Sequence, residues 1–323
     1  MFVGHAFLAL ALGLLLGRLA GFDERGVLAF ALLLAGSSVL PDLDLVVSVG
    51  TIVSVLGDSP VAAWEGYWGA SNAIHRGVSH TLVGGTGIGL VLAGAAVGVR
   101  GARGRQIRQL SVGIVVGLLG LGLPLVVVGP AVDAVGWLGY SAVLLGALLL
   151  GGFAAHRSDL GDSTIAAGGL LGAWLHPFTD IFIGSPPAMF YPFESPILAE
   201  SVTFAADPTL NLLGVTAAEL AAIWVGVVAA SRVRGRSLRE LVAPVALAGV
   251  GFPVVMALLP RPTMVDAHWL GFPLVPFALV GLVPVLEGGR SDPNWPLRAI
   301  VTGLATLSVA TAAYALFYGI FPT

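Results

Sequence analysis

Apolar runs without a charged residue recur along the whole chain, as in residues 81–99 and 109–132. A transmembrane helix needs about 20 such residues to cross the hydrocarbon core of a bilayer. Only 10% of the 323 residues are charged and the mean hydropathy is +0.95, which a soluble domain does not carry. Runs this continuous do not fit the alternation of a membrane barrel. The chain is therefore predicted to be an all-α polytopic membrane protein.

The lengths of these runs predict about ten transmembrane helices, each bounded by polar, Gly or Pro residues. They are expected at Phe2–Leu19, Val27–Leu40, His80–Val99, Leu110–Val128, Trp137–Ala155, Ser163–Ile183, Thr209–Ala230, Leu241–Leu259, Trp269–Leu286 and Ala299–Ile320. The apolar run Leu45–Leu56 is too short to span and is expected to lie in the interface or to re-enter the membrane.

Arginine placement orients these helices, since positively charged loops stay in the cytoplasm. With ten helices and the N-terminus outside, thirteen of the fifteen arginines fall in cytoplasmic loops, and only Arg76 and Arg261 fall outside. We therefore expect a multi-pass cell-membrane protein whose N-terminus is extracytoplasmic.

Four polar clusters interrupt the apolar pattern, and this topology places all four at the outer ends of helices 1, 2, 3 and 6. They are His5, the segment PDLD at 41–44, the segment HRGVSH at 75–80, and His176 with Asp180. A charged group at membrane depth costs about 2.5 to 3.5 kcal/mol on insertion scales, so such groups normally have a partner or a task. The clusters are expected to meet in one site.

Imidazole and carboxylate groups of this kind are typical metal ligands. His176 and Asp180 are four residues apart, which on a helix puts both side chains on one face. Of Asp42 and Asp44, one is expected to bind the ion while the other orients an imidazole, and Asp42 is the expected ligand. The predicted ligands are His5, Asp42, His75, His80, His176 and Asp180. They favour one or two zinc ions, with manganese or iron as alternatives, and the absence of Cys excludes a thiolate site.

Three further side chains are predicted to assist catalysis, namely Arg76, Asp44 and Ser79. The planar guanidinium of Arg76 suits a phosphate or carboxylate of the substrate. Ser79 is also placed to cap the third helix. His156, on the inner side, and His268, in an outer loop, are expected to take no part.

At these residues the sequence resembles the YdjM-type family of inner-membrane-associated metal-dependent hydrolases, also called LexA-binding. The matching pieces are Gly4-His5, LPDLD at 40–44, HRGVSH at 75–80, His176 with Asp180, Tyr191-Pro192-Phe193 and Asp207-Pro208. The resemblance implies a metal-dependent hydrolase domain over residues 1–210, with an inserted helix pair at about 100–160. Residues 211–323 would form a C-terminal helical extension. No residue pattern in this sequence indicates LexA binding.

The ligand order is also similar, more weakly, to zinc-dependent phospholipase C. That likeness implies a polynuclear zinc site that hydrolyses phosphoesters, with Asp180 bridging two ions. The later His and Glu ligands of those enzymes have no clear match here.

These observations predict a membrane hydrolase in which metal-activated water attacks a phosphoester of a lipid or lipid-linked substrate. An amide or carboxyl ester is the alternative bond. A transporter coupled to metal ions or protons is a second hypothesis. It is disfavoured because the polar clusters lie at helix ends and not in the middle of the membrane. A metal-stabilised scaffold without turnover is the third, and it predicts a closed coordination shell. The expected partner is the lipid bilayer, and the chain has no basic patch for nucleic acid.

Overall fold

A computed structural model of the protein contains helices and no β-strand within the residues that it describes. These are residues 3–50, 59, 62–63, 66–67, 69–71, 75, 77–129, 132–182, 186–193, 200, 202–288 and 294–321. The chain divides into two compact units, Met1–Ile181 with Ser185–Ser201 and Phe182–Gly184 with Val202–Thr323. The prediction of an all-α protein is confirmed for the described residues.

The first unit is a set of long helices, three of which have a short 3₁₀ segment before or after them. The helices are α1 (Gly4–Leu19), α2 (Glu24–Val39), α3 (Leu82–Arg103), α4 (Ile107–Val128), α5 (Ala134–Arg157) and α6 (Asp162–Thr179). The 3₁₀ segments are Leu40–Ser48 after α2, Val78–His80 before α3 and Asp180–Phe182 after α6. Each 3₁₀ segment carries residues of the predicted metal cluster.

Short polar side chains cap the beginnings of α2, α3 and α5. Asp23, Thr81 and Asp133 each accept a hydrogen bond from the backbone N–H three residues further on, at 2.7–2.8 Å. Each bond satisfies one of the N–H groups that have no partner in the first turn of a helix. The caps fix where these helices begin.

Glycine lets α3 pack closely against its neighbours. A Cβ added at Gly94 of α3 would lie 2.6 Å from the carbonyl oxygen of Gly113 in α4. On the other side of α3, Gly151 of α5 lies against the carbonyl of Leu92, which is itself fully buried. Close backbone approach of this kind is how helices associate in lipid, where no hydrophobic force drives them together. The glycines hold α3 in the middle of the unit.

The second unit combines two long helices with several short ones. The helices are α7 (Pro208–Val233), α8 (Leu238–Leu241), α9 (Phe252–Met256), α10 (His268–Leu279), α11 (Val283–Gly288) and α12 (Trp295–Ile320), with 3₁₀ segments Pro244–Gly251 and Val280–Leu282. Phe252 is fully buried and meets Tyr314 edge to face, with ring centroids 5.9 Å apart. This unit has its own apolar core.

Asp207 anchors the beginning of α7. Its Oδ1 accepts hydrogen bonds from the backbone N–H groups of Leu210 and Thr209, at 2.8 and 2.9 Å, and its Oδ2 accepts one from the Tyr318 hydroxyl at 3.1 Å. The bond from the Leu210 N–H is the largest cause that lowers the pKa of the Asp207 carboxyl below its usual value. The cap is therefore an ionised carboxylate at neutral pH.

Six helical segments of the described residues are long and apolar enough to cross a membrane. They are Glu24–Ser48, Leu82–Arg103, Ile107–Val128, Ala134–Arg157, Pro208–Val233 and Trp295–Ile320. Gly4–Leu19, Pro244–Met256 and His268–Leu282 are apolar but shorter. The protein is thus a multi-pass membrane protein, and six of the ten predicted crossings meet the length and hydropathy of a full span.

Two of the predicted helices are interrupted. The region predicted as Leu241–Leu259 begins as a 3₁₀ segment and becomes α-helical only at Phe252. The region predicted as Trp269–Leu286 is divided into α10, a 3₁₀ turn and α11. Prolines in both regions remove N–H donors from the α-helical hydrogen-bond ladder, which explains the breaks.

Candidate metal centre

Segments that are distant in sequence meet at one end of the first unit. The residues are His5 in the first turn of α1, Asp42 and Asp44 after α2, His75 and His80 before α3, and His176 and Asp180 at the end of α6. All six predicted ligands thus lie in one cluster, together with Asp44.

Pro41 determines how the two aspartates reach this cluster. Proline lacks a backbone N–H and crowds the preceding helical turn, and the chain changes from α-helix to 3₁₀ helix at Leu40. From this 3₁₀ segment Asp42 contacts Nε2 and Asp44 contacts Nδ1 of the same two imidazoles, His75 and His80. The α-helix thus ends at Val39, next to the predicted end at Leu40, and the chain continues as a 3₁₀ segment to Ser48.

Asp42 lies at the centre of the cluster. Its Oδ2 is 3.1 Å from Nε2 of His5. Its Oδ1 is 3.3 Å from Nε2 of His176, 3.5 Å from Nε2 of His75 and 3.7 Å from Nε2 of His80. Because Asp42 contacts all four imidazoles, it occupies the position expected of a direct ligand.

Asp180 lies against the two most central imidazoles. Its Oδ2 is 3.4 Å from Nε2 of His80 and 3.5 Å from Nε2 of His176, in the helical spacing that the sequence indicated. The Nε2 atoms of His80 and His176 are 2.9 Å apart. Two ring nitrogens this close need a shared proton or a cation between them.

The separations of 3.3 Å from Asp42 to His176, and of 3.4 and 3.5 Å from Asp180 to His80 and His176, fit ligand atoms around a small divalent cation, whereas the 2.9 Å between the two Nε2 atoms is shorter. With bonds of 2.0 to 2.2 Å, two ligand atoms of a tetrahedral zinc site lie roughly 3.3 to 3.6 Å apart. Three groups each offer ligand atoms that all lie within 4.8 Å of one another. The groups are His5, Asp42 and His176; Asp42, His75 and His80; and His80, His176 and Asp180.

Hydrogen bonds on the opposite ring nitrogen turn Nε2 toward the cluster. Nδ1 of His176 is 2.7 Å from the carbonyl oxygen of Ser38, so Nδ1 carries a proton, and the neutral ring then has its lone pair on Nε2. Nδ1 of His75 is 3.1 Å from Oδ1 of Asp44, and a carboxylate fixes the same tautomer. Both rings therefore present a ligand nitrogen to the same space.

Ser79 connects His80 to the same carboxylate. Its hydroxyl donates to Oδ2 of Asp44 at 2.7 Å and lies 2.9 Å from Nδ1 of His80. Since the hydroxyl proton goes to Asp44, the Ser79 oxygen accepts from the His80 Nδ1–H and leaves Nε2 with its lone pair. The expectation that Ser79 caps α3 is wrong, because Thr81 does so.

Arg76, His156 and His268 are not among the described residues of the cluster. Arg76, the predicted phosphate-binding residue, falls outside the described residues. His156 contacts the Arg103 guanidinium at 3.1 Å, at the end of α3 remote from the cluster. His268 begins α10 in the second unit. Neither of these two histidines joins the cluster, as expected.

Among the described residues of the cluster, His75 and Asp42 are the most exposed. His5, His80 and His176 are fully buried, and Asp180 is almost so. The side chains of His75 and Asp42 are 15% and 13% exposed to solvent. Water or a substrate would therefore approach along His75 and Asp42.

Two supporting contacts carry no sequence signal. The Ser38 carbonyl that orients His176 is a backbone atom, which any residue could offer. Gly139 of α5 leaves room for Asp44, since a Cβ there would lie 3.2 Å from the Asp44 Cβ. Such contacts depend on how the helices pack and not on a motif.

Comparison with known proteins supports the family resemblance for part of the chain. Residues 1–136 match the family model described as YdjM inner membrane protein. The match includes His5, Asp42, His75 and His80, and it ends before α6. No curated protein and no solved structure matches the chain. The resemblance to this family is confirmed over residues 1–136, while the likeness to phospholipase C stays a prediction.

Proposed function

We propose that this chain, whose residues 1–136 match an inner membrane protein family, is a membrane-bound metal-dependent hydrolase. The observation that carries the proposal is the cluster itself, in which four imidazoles and two carboxylates from distant segments direct ligand atoms into one buried space. Polar groups buried this densely cost free energy unless they are paired or coordinate a metal. A cation is the simplest occupant.

The donor set is one of nitrogen and oxygen atoms. Imidazole and carboxylate ligands suit zinc first, with manganese and iron as alternatives, and the sequence has no Cys to add a thiolate. The bonds to Ser38 and Asp44 hold the rings of His176 and His75 in the tautomer that a metal requires. The residues present therefore fit a divalent cation.

The chemistry we propose is hydrolysis at the partly exposed side of the cluster. A bound divalent cation lowers the pKa of a coordinated water to about 7 and polarises a phosphoryl oxygen. His75 and Asp42 border the approach to the cluster. Arg76 follows His75 in the sequence, and its guanidinium would hold the phosphate and stabilise the negative charge that develops during attack.

The proposed substrate is a phosphoester of a lipid or lipid-linked compound. The cluster lies before the first turn of α3, whereas Arg100 and Arg103 lie in the last turn of the same helix. If α3 spans the membrane, the positive-inside rule assigns the arginines to the cytoplasm and the cluster to the extracytoplasmic border. An ester at that border is most directly supplied by lipid. Ten crossings with an outer N-terminus complete this proposed topology.

The test is metal analysis and an ester panel on the purified full chain in detergent. The panel contains p-nitrophenyl phosphate, bis(p-nitrophenyl) phosphate and a short-chain phosphatidylcholine, each with and without chelator. We expect bound metal and chelator-sensitive turnover of at least one ester. Asp180→Ala should abolish turnover, whereas His156→Ala, which removes a histidine outside the cluster, should not change it.

Two outcomes would contradict the proposal. A chain without bound metal, or one whose turnover survives both chelator and Asp180→Ala, has no metal-dependent hydrolase site. Metal without any turnover, with Asp180→Ala lowering only the unfolding temperature, would support the scaffold hypothesis instead.

A further inference from the structure

We infer that the cluster holds two divalent cations in unequal positions, an inner one bound by His5 and His176 and an outer one bound by His75 and His80, with Asp42 shared. This inference rests on the proposed function and specifies the metal content of the same site. The two positions differ in burial and in the groups that orient their ligands.

The number of ligands supports two cations. Zinc sites in proteins almost always have four ligands, and catalytic sites keep one of these positions for water. The cluster offers six protein ligands, which exceeds what one such ion takes. His5 groups with Asp42 and His176, and His75 groups with Asp42 and His80. Asp180 groups with one imidazole of each pair, His80 and His176. Two ions would each receive two imidazoles.

Asp42 has the geometry of a shared carboxylate. Its Oδ2 faces His5 at 3.1 Å, and its Oδ1 faces His75 at 3.5 Å. Oδ1 also lies 3.3 Å from Nε2 of His176 and 3.7 Å from Nε2 of His80, so this one carboxylate contacts both imidazoles of each pair. Two-metal hydrolytic sites hold their ions about 3.5 to 4 Å apart, a distance that one carboxylate can bridge.

The two positions differ in access. Both imidazoles of the inner pair are fully buried, whereas the His75 side chain keeps 15% of its exposure. An ion at the inner position can leave only if the surrounding helices move apart. An ion at the outer position can exchange along the exposed edges of His75 and Asp42. The outer ion should therefore be released faster.

The positions also differ in their orienting groups. On the inner side, His176 donates to the neutral carbonyl of Ser38. On the outer side, Asp44 accepts directly from His75 and reaches His80 through Ser79. Asp44 is therefore a positioning residue for the outer cation alone. Loss of such an orienting partner typically weakens metal binding by about 10- to 100-fold.

The experiment counts metal and times its release from the intact chain. Metal-free protein in detergent is loaded with Zn²⁺, desalted and analysed for zinc per chain, and the release is followed with a chromogenic chelator. We expect two equivalents released in a fast and a slow phase of equal size. His75→Ala should leave one equivalent that is released slowly, while His156→Ala should keep both.

Asp44→Asn provides a second test that does not remove a ligand. This substitution should lower the affinity for the zinc ion that is released fast by about 10- to 100-fold and leave the affinity for the slowly released ion unchanged. Asp159→Asn, at an exposed loop position, is the matched control and should keep both equivalents. Co²⁺ loading gives a further readout, because the visible spectrum of the second equivalent should be altered in Asp44→Asn alone.

The inference and the proposed function can fail separately. One equivalent in the wild-type chain, released in one phase, would overturn the two-cation inference even if ester hydrolysis depends on that metal. Two equivalents lost together in His75→Ala would show that the positions are not independent and would equally overturn it. Two unequal equivalents without ester turnover would support the inference and contradict the hydrolase.

Discussion

Asp44 and Ser79 form a buried hydrogen-bonded pair that controls the direction of two imidazoles. One oxygen of Asp44 contacts His75 and the other accepts a hydrogen bond from Ser79. The Ser79 hydroxyl in turn orients the ring of His80. The Ser79 hydroxyl is both donor and acceptor, which no apolar side chain of similar size can replace. Its loss would leave Oδ2 of Asp44 and Nδ1 of His80 with only each other, at 3.5 Å, which is longer than a good hydrogen bond.

Ser79→Ala is therefore expected to lower both stability and metal affinity. An unsatisfied buried polar group costs about 1 to 3 kcal/mol, and a lost orienting contact weakens metal binding by about 10- to 100-fold. Thermal unfolding in detergent and zinc titration measure the two effects. Thr81→Ser, two residues further on, keeps a capping hydroxyl and should change neither. Unaltered zinc affinity in Ser79→Ala would mean that the His80 ring is held by packing alone.

Individual ligands could be predicted from the sequence, but their orienting contacts could not. An ionisable residue in an apolar run is costly, so His5, Asp42 and His176 are conspicuous. The contact from Ser79 to Asp44 joins positions 35 residues apart, and the Ser38 carbonyl acts on a ring 138 residues away. Such contacts depend on the final packing, and the pattern near Ser79 suggested a helix cap instead.

At the scale of elements, α3 is held by backbone contacts with α4 and α5. Gly151 and Gly152 are neighbours on α5, yet only Gly151 lies against the backbone of α3 at Leu92. A Cβ at Gly152 would meet only the Val99 side chain at 3.6 Å, which is an ordinary van der Waals contact. Substitutions at Gly151 and Gly152 therefore distinguish the effect of helix packing on stability from the effect of helix propensity.

Gly151→Ala should destabilise the protein, whereas Gly152→Ala should leave it unchanged or slightly more stable. The first adds a methyl group where a carbonyl oxygen already lies, and overpacking of this kind costs about 1 to 3 kcal/mol. The second gains up to about 1 kcal/mol of helix propensity. Unfolding temperatures in detergent compare the two. Equal effects would indicate that α5 and α3 do not approach as described.

Helix positions were more predictable than helix continuity. The lengths of the apolar runs located α3, α4 and α5 to within a few residues, because hydropathy determines where a span can begin and end. The breaks between α10 and α11 and before α9 went unpredicted. A proline there changes the hydrogen bonding but hardly the hydropathy, and membrane helices often tolerate proline without a break.

The orientation of the protein in its membrane determines which side carries the cluster. The distribution of arginines predicts the extracytoplasmic side. Two exposed positions in the first unit report on the two ends of its helices. Gln106 lies in the turn between α3 and α4, and Ala188 lies in the segment whose Met189 carbonyl binds the Leu82 N–H at 2.8 Å.

Because the chain has no cysteine, single cysteines can test this topology without background. In intact cells, a membrane-impermeant maleimide should label Ala188→Cys and should label Gln106→Cys only after the membrane is permeabilised. The cluster would then face outward. The reverse labelling pattern would place it in the cytoplasm and would make a cytoplasmic ester the substrate to test.

The span of the cluster along the chain also limits when it can form. Its first ligand is His5 and its last is Asp180, so the ribosome must complete more than half of the polypeptide before the set exists. Until α6 is inserted, the earlier histidines and Asp42 lack two of their partners. The outer position of the proposed site, formed by Asp42, His75 and His80, is complete before the inner one, which needs His176. Capture of the inner cation would thereby be a late event of biogenesis, and a nascent chain halted before residue 176 should retain at most one equivalent of zinc.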